Sequence, residues 1–275
     1  METKLAIISV VYNNYANLTD FFHSLEIQTN KNFKLFLSDT SEKKQPVAKQ
    51  KFPLEVVDYK NYGYAHGINQ GLRTAIAHGF SHFCIINDDT YFAKDFVTNS
   101  LIALKKYSGA LIGGKIFYAP GYEYHKKYAE KDLGKVIWYA GGQNDWKNCI
   151  TKHLGVDQVD QPQFNQPLPT EFITGCLMLY DKKALDTVGF WDESYFLYYE
   201  DADFCERAKR KNVPLFYEPK IHIWHKNAQS TAGPGSQLHQ KYQKQNQLKF
   251  GLKYAPFRTK MHLIKNYFLN YRAEE

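Results

Sequence analysis

Up to Ile112, short unbroken apolar runs alternate with stretches in which apolar side chains recur every three or four positions. Leu5-Ala6-Ile7-Ile8-Ser9-Val10-Val11 is rich in β-branched residues, which predicts a buried parallel strand. Leu18, Phe21, Phe22 and Leu25 follow at helical spacing, with Asn17 placed to cap the helix. Phe33-Lys34-Leu35-Phe36-Leu37 reads as the next strand. The alternation continues with Leu54 to Val57 as strand, Ala65 to His78 as helix, His82 to Ile86 as strand, Phe96 to Lys106 as helix and Ala110 to Ile112 as strand. Such a pattern predicts an α/β fold with a mostly parallel, doubly wound central sheet flanked by helices.

After Tyr118 the periodicity weakens through a stretch rich in Gly, Pro and Gln, including Pro162, Pro167 and Pro169, which predicts a long surface connection or mobile loop. Thr170 to Leu179 reads as a further strand, Lys182 to Val188 as a short helix, and Glu200 to Lys211 as a charged helix. From Gln237 to Arg272 there is no Asp or Glu, and eight Lys and Arg are interleaved with aromatic residues such as Tyr242, Phe250 and Tyr254. Pro256 should divide this segment into two helices. Two readings stand for it: a peripheral contact with an anionic membrane surface, or an apolar face packed on the body of the protein.

Composition narrows the classes. With 275 residues, 44% apolar and 16% aromatic, the chain can bury a sizeable core, and disorder is excluded. No apolar run approaches the roughly 20 residues that span a bilayer. Met1-Glu2-Thr3-Lys4 leads directly into a strand, so a cytoplasmic location is expected, with the inner face of the cell membrane as the place of any peripheral contact. Cys84, Cys149, Cys176 and Cys205 are far apart and read as free thiols rather than disulfides or a zinc site. A net charge of +7 favours an anionic partner, a description that covers nucleic acid, anionic lipid and sugar nucleotides. The chain carries no recognised nucleic-acid motif, so no nucleic acid is expected as partner.

In doubly wound sheets, ligands sit beyond the carboxyl ends of the strands. The residues placed there are Tyr12-Asn13-Asn14, Ser38-Asp39-Thr40, Tyr59 to Gly63 and Asn87-Asp88-Asp89. Asn87-Asp88-Asp89-Thr90 offers the hard oxygen ligands that a divalent cation bound to phosphate requires, although an Asp-Asp pair after a strand also serves as a turn or helix cap. Asp39 makes an Asx-turn by default, or accepts the N–H of a pyrimidine ring. The glycines of Asn61-Tyr62-Gly63-Tyr64-Ala65-His66-Gly67-Ile68-Asn69-Gln70-Gly71 stand where backbone approaches a ligand or turns onto a helix. Tyr195-Phe196-Leu197-Tyr198-Tyr199-Glu200-Asp201-Ala202-Asp203 sets carboxylates after an aromatic run, where desolvation favours a general base.

Asn61 to Gly71, Ile86 to Thr90, Thr174-Gly175-Cys176-Leu177-Met178-Leu179 and Val188 to Glu193 running on to Glu200 to Arg207, taken in that order, resemble the inverting glycosyltransferases of family 2. The resemblance covers residues 4–232 and is strongest to the bacterial branch that includes rhamnosyltransferases of surface polysaccharide synthesis. It implies a GT-A type, Rossmann-like nucleotide-sugar transferase fold with a helical C-terminal tail. The expected division is a catalytic domain over 1–236, with a nucleotide-binding half at 1–118 and an acceptor-binding half at 119–236, followed by a basic, aromatic helical extension at 237–275.

By position, the resemblance implies Asp201 as catalytic base, Asp89 and His225 at a Mn2+ or Mg2+ ion, and Trp191 and Glu200 toward the acceptor. It further implies Tyr12, Asn13, Asp39, Asn61, Gly63, Asn69 and Asp88 around the nucleotide. Asn87 stands where a full Asp-x-Asp motif has its first carboxylate, and His66 where relatives carry a small residue. Lys226 is expected near the leaving group, Asp203 with Arg207 as an internal support pair, and Tyr195, Phe196, Tyr198 and Tyr199 either against an acceptor sugar or in the core. The implied activity is transfer of a sugar from dTDP-rhamnose or a UDP-hexose to a surface glycan or lipid-linked acceptor. The alternative is a non-catalytic nucleotide-sugar or glycan-binding module of the same fold.

Overall fold

The computed structural model describes residues 4–123, 125–226 and 237–271, with backbone alone for 237–239 and 267–271. The expected domain boundary at 236 and the far end of the family resemblance, 227–232, lie outside the described residues. The chain runs β1 (Leu5–Val11), α1 (Leu18–Glu26), β2 (Phe33–Asp39), β3 (Leu54–Asp58), α2 (Tyr64–Ala77), β4 (His82–Ile86), β5 (Thr90–Phe92), α3 (Phe96–Lys106) and β6 (Leu111–Tyr118). It continues through β7 (Ile137–Tyr139), β8 (Gly142–Asp145), β9 (Ile150–His153), β10 (Leu168–Pro169), β11 (Leu177–Asp181), α4 (Lys182–Val188), α5 (Glu200–Arg210) and β12 (Leu215–His225). Two helices, α6 (Gln237–Tyr254) and α7 (Phe257–Tyr271), follow and are separated at Pro256 as expected.

The large, mostly parallel sheet has the order β10-β12-β6-β11-β4-β1-β2-β3, with β5 added to β12 and β7 to β6. β1 is parallel to β2 and β4, β2 to β3, and β6 to β12. β11 is inserted antiparallel between β4 and β6, so its amino end lies at the edge where the other strands have their carboxyl ends. The site depends on this reversal: Gly175 and Cys176, which precede β11, meet Asn87, which follows β4, and Asn87 N–H donates to the Cys176 carbonyl at 3.1 Å. β1 is buried almost throughout, as a central strand covered on both faces must be. Glycines let α2 lie close to it, since a Cβ at Gly67 or Gly71 would fall within 3 Å of the Val10 or Ile8 side chain.

Three expectations change. Asn17 is buried in the 3-10 turn Tyr15–Asn17 and its side chain does not cap α1. The stretch from 119 to 169, expected as a long connection, is built from β7, the separate β8-β9 hairpin, β10 and two 3-10 turns. Strands of two to four residues are too short to show a period of two in the sequence. The expected strand from Thr170 begins only at Leu177, after the Thr174 to Leu177 turn that presents Gly175.

Of the two readings of the segment after 236, α6 shows the packed one. Tyr242, Asn246, Phe250 and Tyr254 recur at i+4 along α6 and share one face. Phe250 is 1% exposed, stacks on Trp146 at 5.6 Å and packs on Tyr199. Lys253 and Tyr254 both donate at 2.7 Å to the fully buried Asp203, which also takes Arg207 as expected. Thus α6 belongs to the core, while Phe257 and Met261 of α7 are exposed. Among the described residues no helix is long and apolar enough to cross a membrane. Phe250→Ala should therefore lower unfolding free energy by about 3–5 kcal/mol, the usual cost of emptying a buried aromatic site. Urea denaturation followed by tryptophan fluorescence measures it, and an undiminished midpoint would show that α6 does not contribute to the core.

Candidate active site

One cavity of about 1030 Å³ opens at the carboxyl edge of the sheet. It collects Tyr12, Asn61, Gly63, Asp88, Asp89, Glu200, Asp201 and His225 from the residues expected at the site. Asn13, Asp39, Asn69 and Trp191 are not in its wall.

Asp201 sits in the first turn of α5, where the helix dipole favours a negative charge. Its Oδ2 accepts from the Gly175 backbone N–H at 2.9 Å, and Oδ1 from that of Ala202 at 2.8 Å. Burial pushes its pKa above the ordinary carboxylate value, against the lowering effect of those two hydrogen bonds. The result is a carboxylate held in place with raised proton affinity, a combination suited to a general base. Glu200 beside it is driven well above its ordinary value by burial and by the Asp201 charge, and its Oε2 has no hydrogen-bond partner.

The second group follows β4. Asp88 and Asp89 are both 4% exposed, and burial, then the Asp89 charge, raises Asp88 well above its ordinary value. His225, the last residue of β12, places Nε2 at 3.1 Å from Asp89 Oδ1. Asp89 Oδ1 and His225 Nδ1 are buried and have no hydrogen-bond partner among the described residues. Burial alone would lower the His225 pKa, but Cys176 and Asp89 outweigh it and hold it well above the ordinary value. Asn87 replaces what would be a third adjacent carboxylate with a neutral amide, whose oxygen accepts from Tyr64 OH at 2.9 Å. Among the described residues no three His, Cys, Asp or Glu side chains form a metal shell. One carboxylate with an unsatisfied oxygen and one imidazole fit a divalent cation that takes its remaining ligands from phosphate and water.

The nucleotide-side residues divide into wall and brace. Tyr12 reaches Glu42 at 3.2 Å, and Asn61 accepts the Gly63 N–H at 3.0 Å. Gly63 has φ of 103°, and a Cβ there would collide with the Phe196 backbone, so glycine is required twice over. Asn13, in a left-handed conformation, braces β1 against Ser41 and Glu42. Asp39 is 1% exposed and occupied by Tyr15 OH at 2.6 Å, Ser41 N–H at 2.9 Å and Lys44 Nζ at 3.3 Å. Burial would raise Asp39, but these donors hold its carboxyl below the ordinary value.

Asn69 and Trp191 serve packing. The Asn69 amide donates to the Trp191 carbonyl and accepts its N–H, at 2.9 and 3.0 Å. The Trp191 indole is stacked on Phe204, donates to Tyr180 OH and packs beneath Gly175, behind the cavity wall rather than in it. Glu193 is held by Asn69 and His66, which gives His66 a partner that a small residue would lack. Lys226 pairs with Asp20 and lies outside the cavity wall. Phe196, Tyr198 and Tyr199 line the cavity, whereas Tyr195 is fully buried under Lys249.

Several wall residues carried no motif in the sequence. Trp138 stands edge-on to His225 at 4.7 Å and to His153 at 4.5 Å, and burial pushes His153 down to about 4. Tyr242 and Gln243 reach the same wall from α6. All come from segments without strong periodicity or a recognised signature.

Solved structures with the same fold include GalNAc-T7 with UDP, GalNAc and Mn2+ (TM-score 0.61, 13% identity, 81% of this chain and 44% of that one). The mannosyltransferase PcManGT from Pyrobaculum calidifontis, in complex with GDP-Man and Mn2+, is similar over 96% of this chain and 69% of its own (TM-score 0.55, 13% identity). Among curated proteins, the low-salt glycan biosynthesis hexosyltransferase Agl10 of Haloferax volcanii is 20% identical over 161 residues, 56% of this chain and 46% of that protein. The N-acetylglucosaminyl-diphospho-decaprenol L-rhamnosyltransferase of Mycobacterium tuberculosis is 34% identical over 71 residues, 26% of this chain and 23% of its own length. The chain thus spans less than half the length of these curated relatives. Residues 6–189, from β1 to the end of α4, match the family described as Glycosyl transferase family 2, and the chain belongs to that family.

Proposed function

We propose that this chain is an inverting glycosyltransferase that moves a sugar from a pyrimidine nucleotide, dTDP-rhamnose or a UDP-hexose, to a hydroxyl of a glycan or lipid-linked acceptor. The carrying observation is that one cavity holds a half-buried, amide-anchored carboxylate with raised proton affinity and, separately, the Asp89–His225 pair. Family membership and the nucleotide sugars in the titles of the two similar structures support the reading.

As the acceptor oxygen bonds to the anomeric carbon, Asp201 takes its proton. The bond from that carbon to the diphosphate breaks, with the electron pair leaving on the diphosphate oxygen. Attack on the face opposite the leaving group inverts the centre in one step. Asp89 and His225 are the residues that would hold Mn2+ or Mg2+, which when bound supplies charge stabilisation to the leaving diphosphate. Tyr12 and Asn61 flank the nucleotide side, and Asp39 stiffens the loop beneath it through Tyr15 and Lys44.

Asp201→Asn should lower turnover of a sugar nucleotide by about 10²-fold or more while UDP affinity persists, because the amide keeps the shape without the basicity. A base works only when ionised, so the acid limb of the wild-type rate profile should lie above the ordinary carboxylate range, in the direction in which burial shifts Asp201. Turnover near wild type in the variant would place the base elsewhere.

Asp89→Ala should abolish the part of UDP and dTDP binding that depends on manganese, since Asp89 is the carboxylate that would hold the cation. Asp39→Ala should weaken nucleoside binding with or without manganese, by releasing Tyr15 and Lys44. Calorimetry separates the two effects, and manganese-dependent binding by Asp89→Ala equal to wild type would remove the metal assignment.

A further inference from the structure

We infer that Asn246, on α6, is a positioning residue for the Asp201 base; this rests on the assignment of Asp201 above. α5 is entered through two consecutive left-handed residues, Tyr198 (φ 67°) and Tyr199 (φ 70°). Bulky side chains disfavour that conformation, which persists only where surrounding contacts hold it. The turn sets the direction of the first turn of α5, which carries Glu200 and Asp201.

What holds it comes from far along the chain. Asn246 is 3% exposed, and its side-chain amide donates to the Leu197 carbonyl at 2.8 Å and to the Tyr198 carbonyl at 3.1 Å. The Leu197 carbonyl precedes the left-handed pair and the Tyr198 carbonyl lies within it, and one amide group bridges them. The neighbouring residues of the same face close the clamp: Tyr242 stacks on Phe196 at 5.0 Å, and Phe250 packs on Tyr199. Tyr199 OH donates to the Cys149 carbonyl at 3.1 Å. On the other side, the Phe196 carbonyl accepts from Tyr64 N–H at the start of α2. The segment that aims Asp201 is therefore gripped between the nucleotide half of the fold and α6.

Loss of the bridge lets the left-handed pair relax and turns Asp201 away from its place beside Gly175. Such a displacement costs rate rather than donor affinity, since Asp201 acts on the acceptor side. Asn246→Ala, Asn246→Ser and the isosteric Asn246→Asp, which can only accept, should be compared with Asp201→Asn and with Gln247→Ala, whose surface bond to the Asn148 carbonyl also ties α6 down. Release of nucleoside diphosphate from UDP-glucose and dTDP-rhamnose, with water as acceptor, reports kcat and KM. Calorimetry with UDP reports binding, and thermal melting reports the fold.

The Asn246 variants, Asn246→Asp included, should lose about tenfold or more in kcat with KM and UDP affinity near wild type, as expected when a reacting group is misplaced. Gln247→Ala should keep kcat. Asn246 variants with wild-type kcat alongside an inactive Asp201→Asn would overturn the positioning role and leave the base assignment standing. An active Asp201→Asn would overturn the base assignment, and this inference with it. Parallel loss of kcat, UDP binding and melting temperature, equal loss in Gln247→Ala, or failure of every Asn246 variant to fold, would make Asn246 a stability residue only and overturn the proposal.

Discussion

Four carboxyl groups, the buried Asp88, Asp89 and Glu200 and the half-buried Asp201, surround one cavity, and His225 stands against Asp89. Removing ionised carboxylates from water costs several kcal/mol each unless hydrogen bonds, protons or cations compensate. The protein uses different means for each. Asp201 has backbone amides, Asp89 has His225, and Asp88 and Glu200 are shifted toward the protonated form. Asn87 keeps the charge density lower than a third adjacent acid would. Such a site opposes stability locally, and a diphosphate with its cation is the kind of ligand that would complete it.

The rest of the fold supplies the rigidity this concentration of acid requires. The antiparallel insertion of β11 brings the Gly175 N–H to Asp201 and the Cys176 carbonyl to Asn87, joining the two acidic groups through backbone. Trp191 packs under Gly175, and Asn69 locks the Trp191 backbone to α2. Asp203, fully buried two residues after Asp201, is matched by Arg207, Lys253 and Tyr254, so α5 is pinned from its own next turn and from α6. Lys253 of α6 is thereby paired with the domain, while Lys241 and Lys244 remain exposed.

Hydrophobic periodicity determined much of this protein from sequence alone. Burial on both faces leaves a continuous apolar run in β1, β2 and β4, and burial on one face leaves i, i+3, i+4 spacing in α1 and α3; these signals are local, so the alternating α/β order was legible. The ordered motifs likewise placed Asp89 and Asp201 at the cavity: Asp89 follows β4 at the carboxyl edge of the sheet, and α5 brings Asp201 to the same edge. Tertiary structure decided the rest. Whether Asp39 faces a base or is occupied by Tyr15 and Lys44, whether Trp191 meets a sugar or Phe204, and whether α6 is tail or core depend on partners from well separated parts of the chain. On α6 the buried face includes Asn246 beside Phe250 and Tyr254 while Leu252 is exposed, so hydropathy alone does not mark it. A side chain's type and spacing report that it will be buried or capable of chemistry; which group it meets is set by strand order and helix docking, and these are properties of the folded chain.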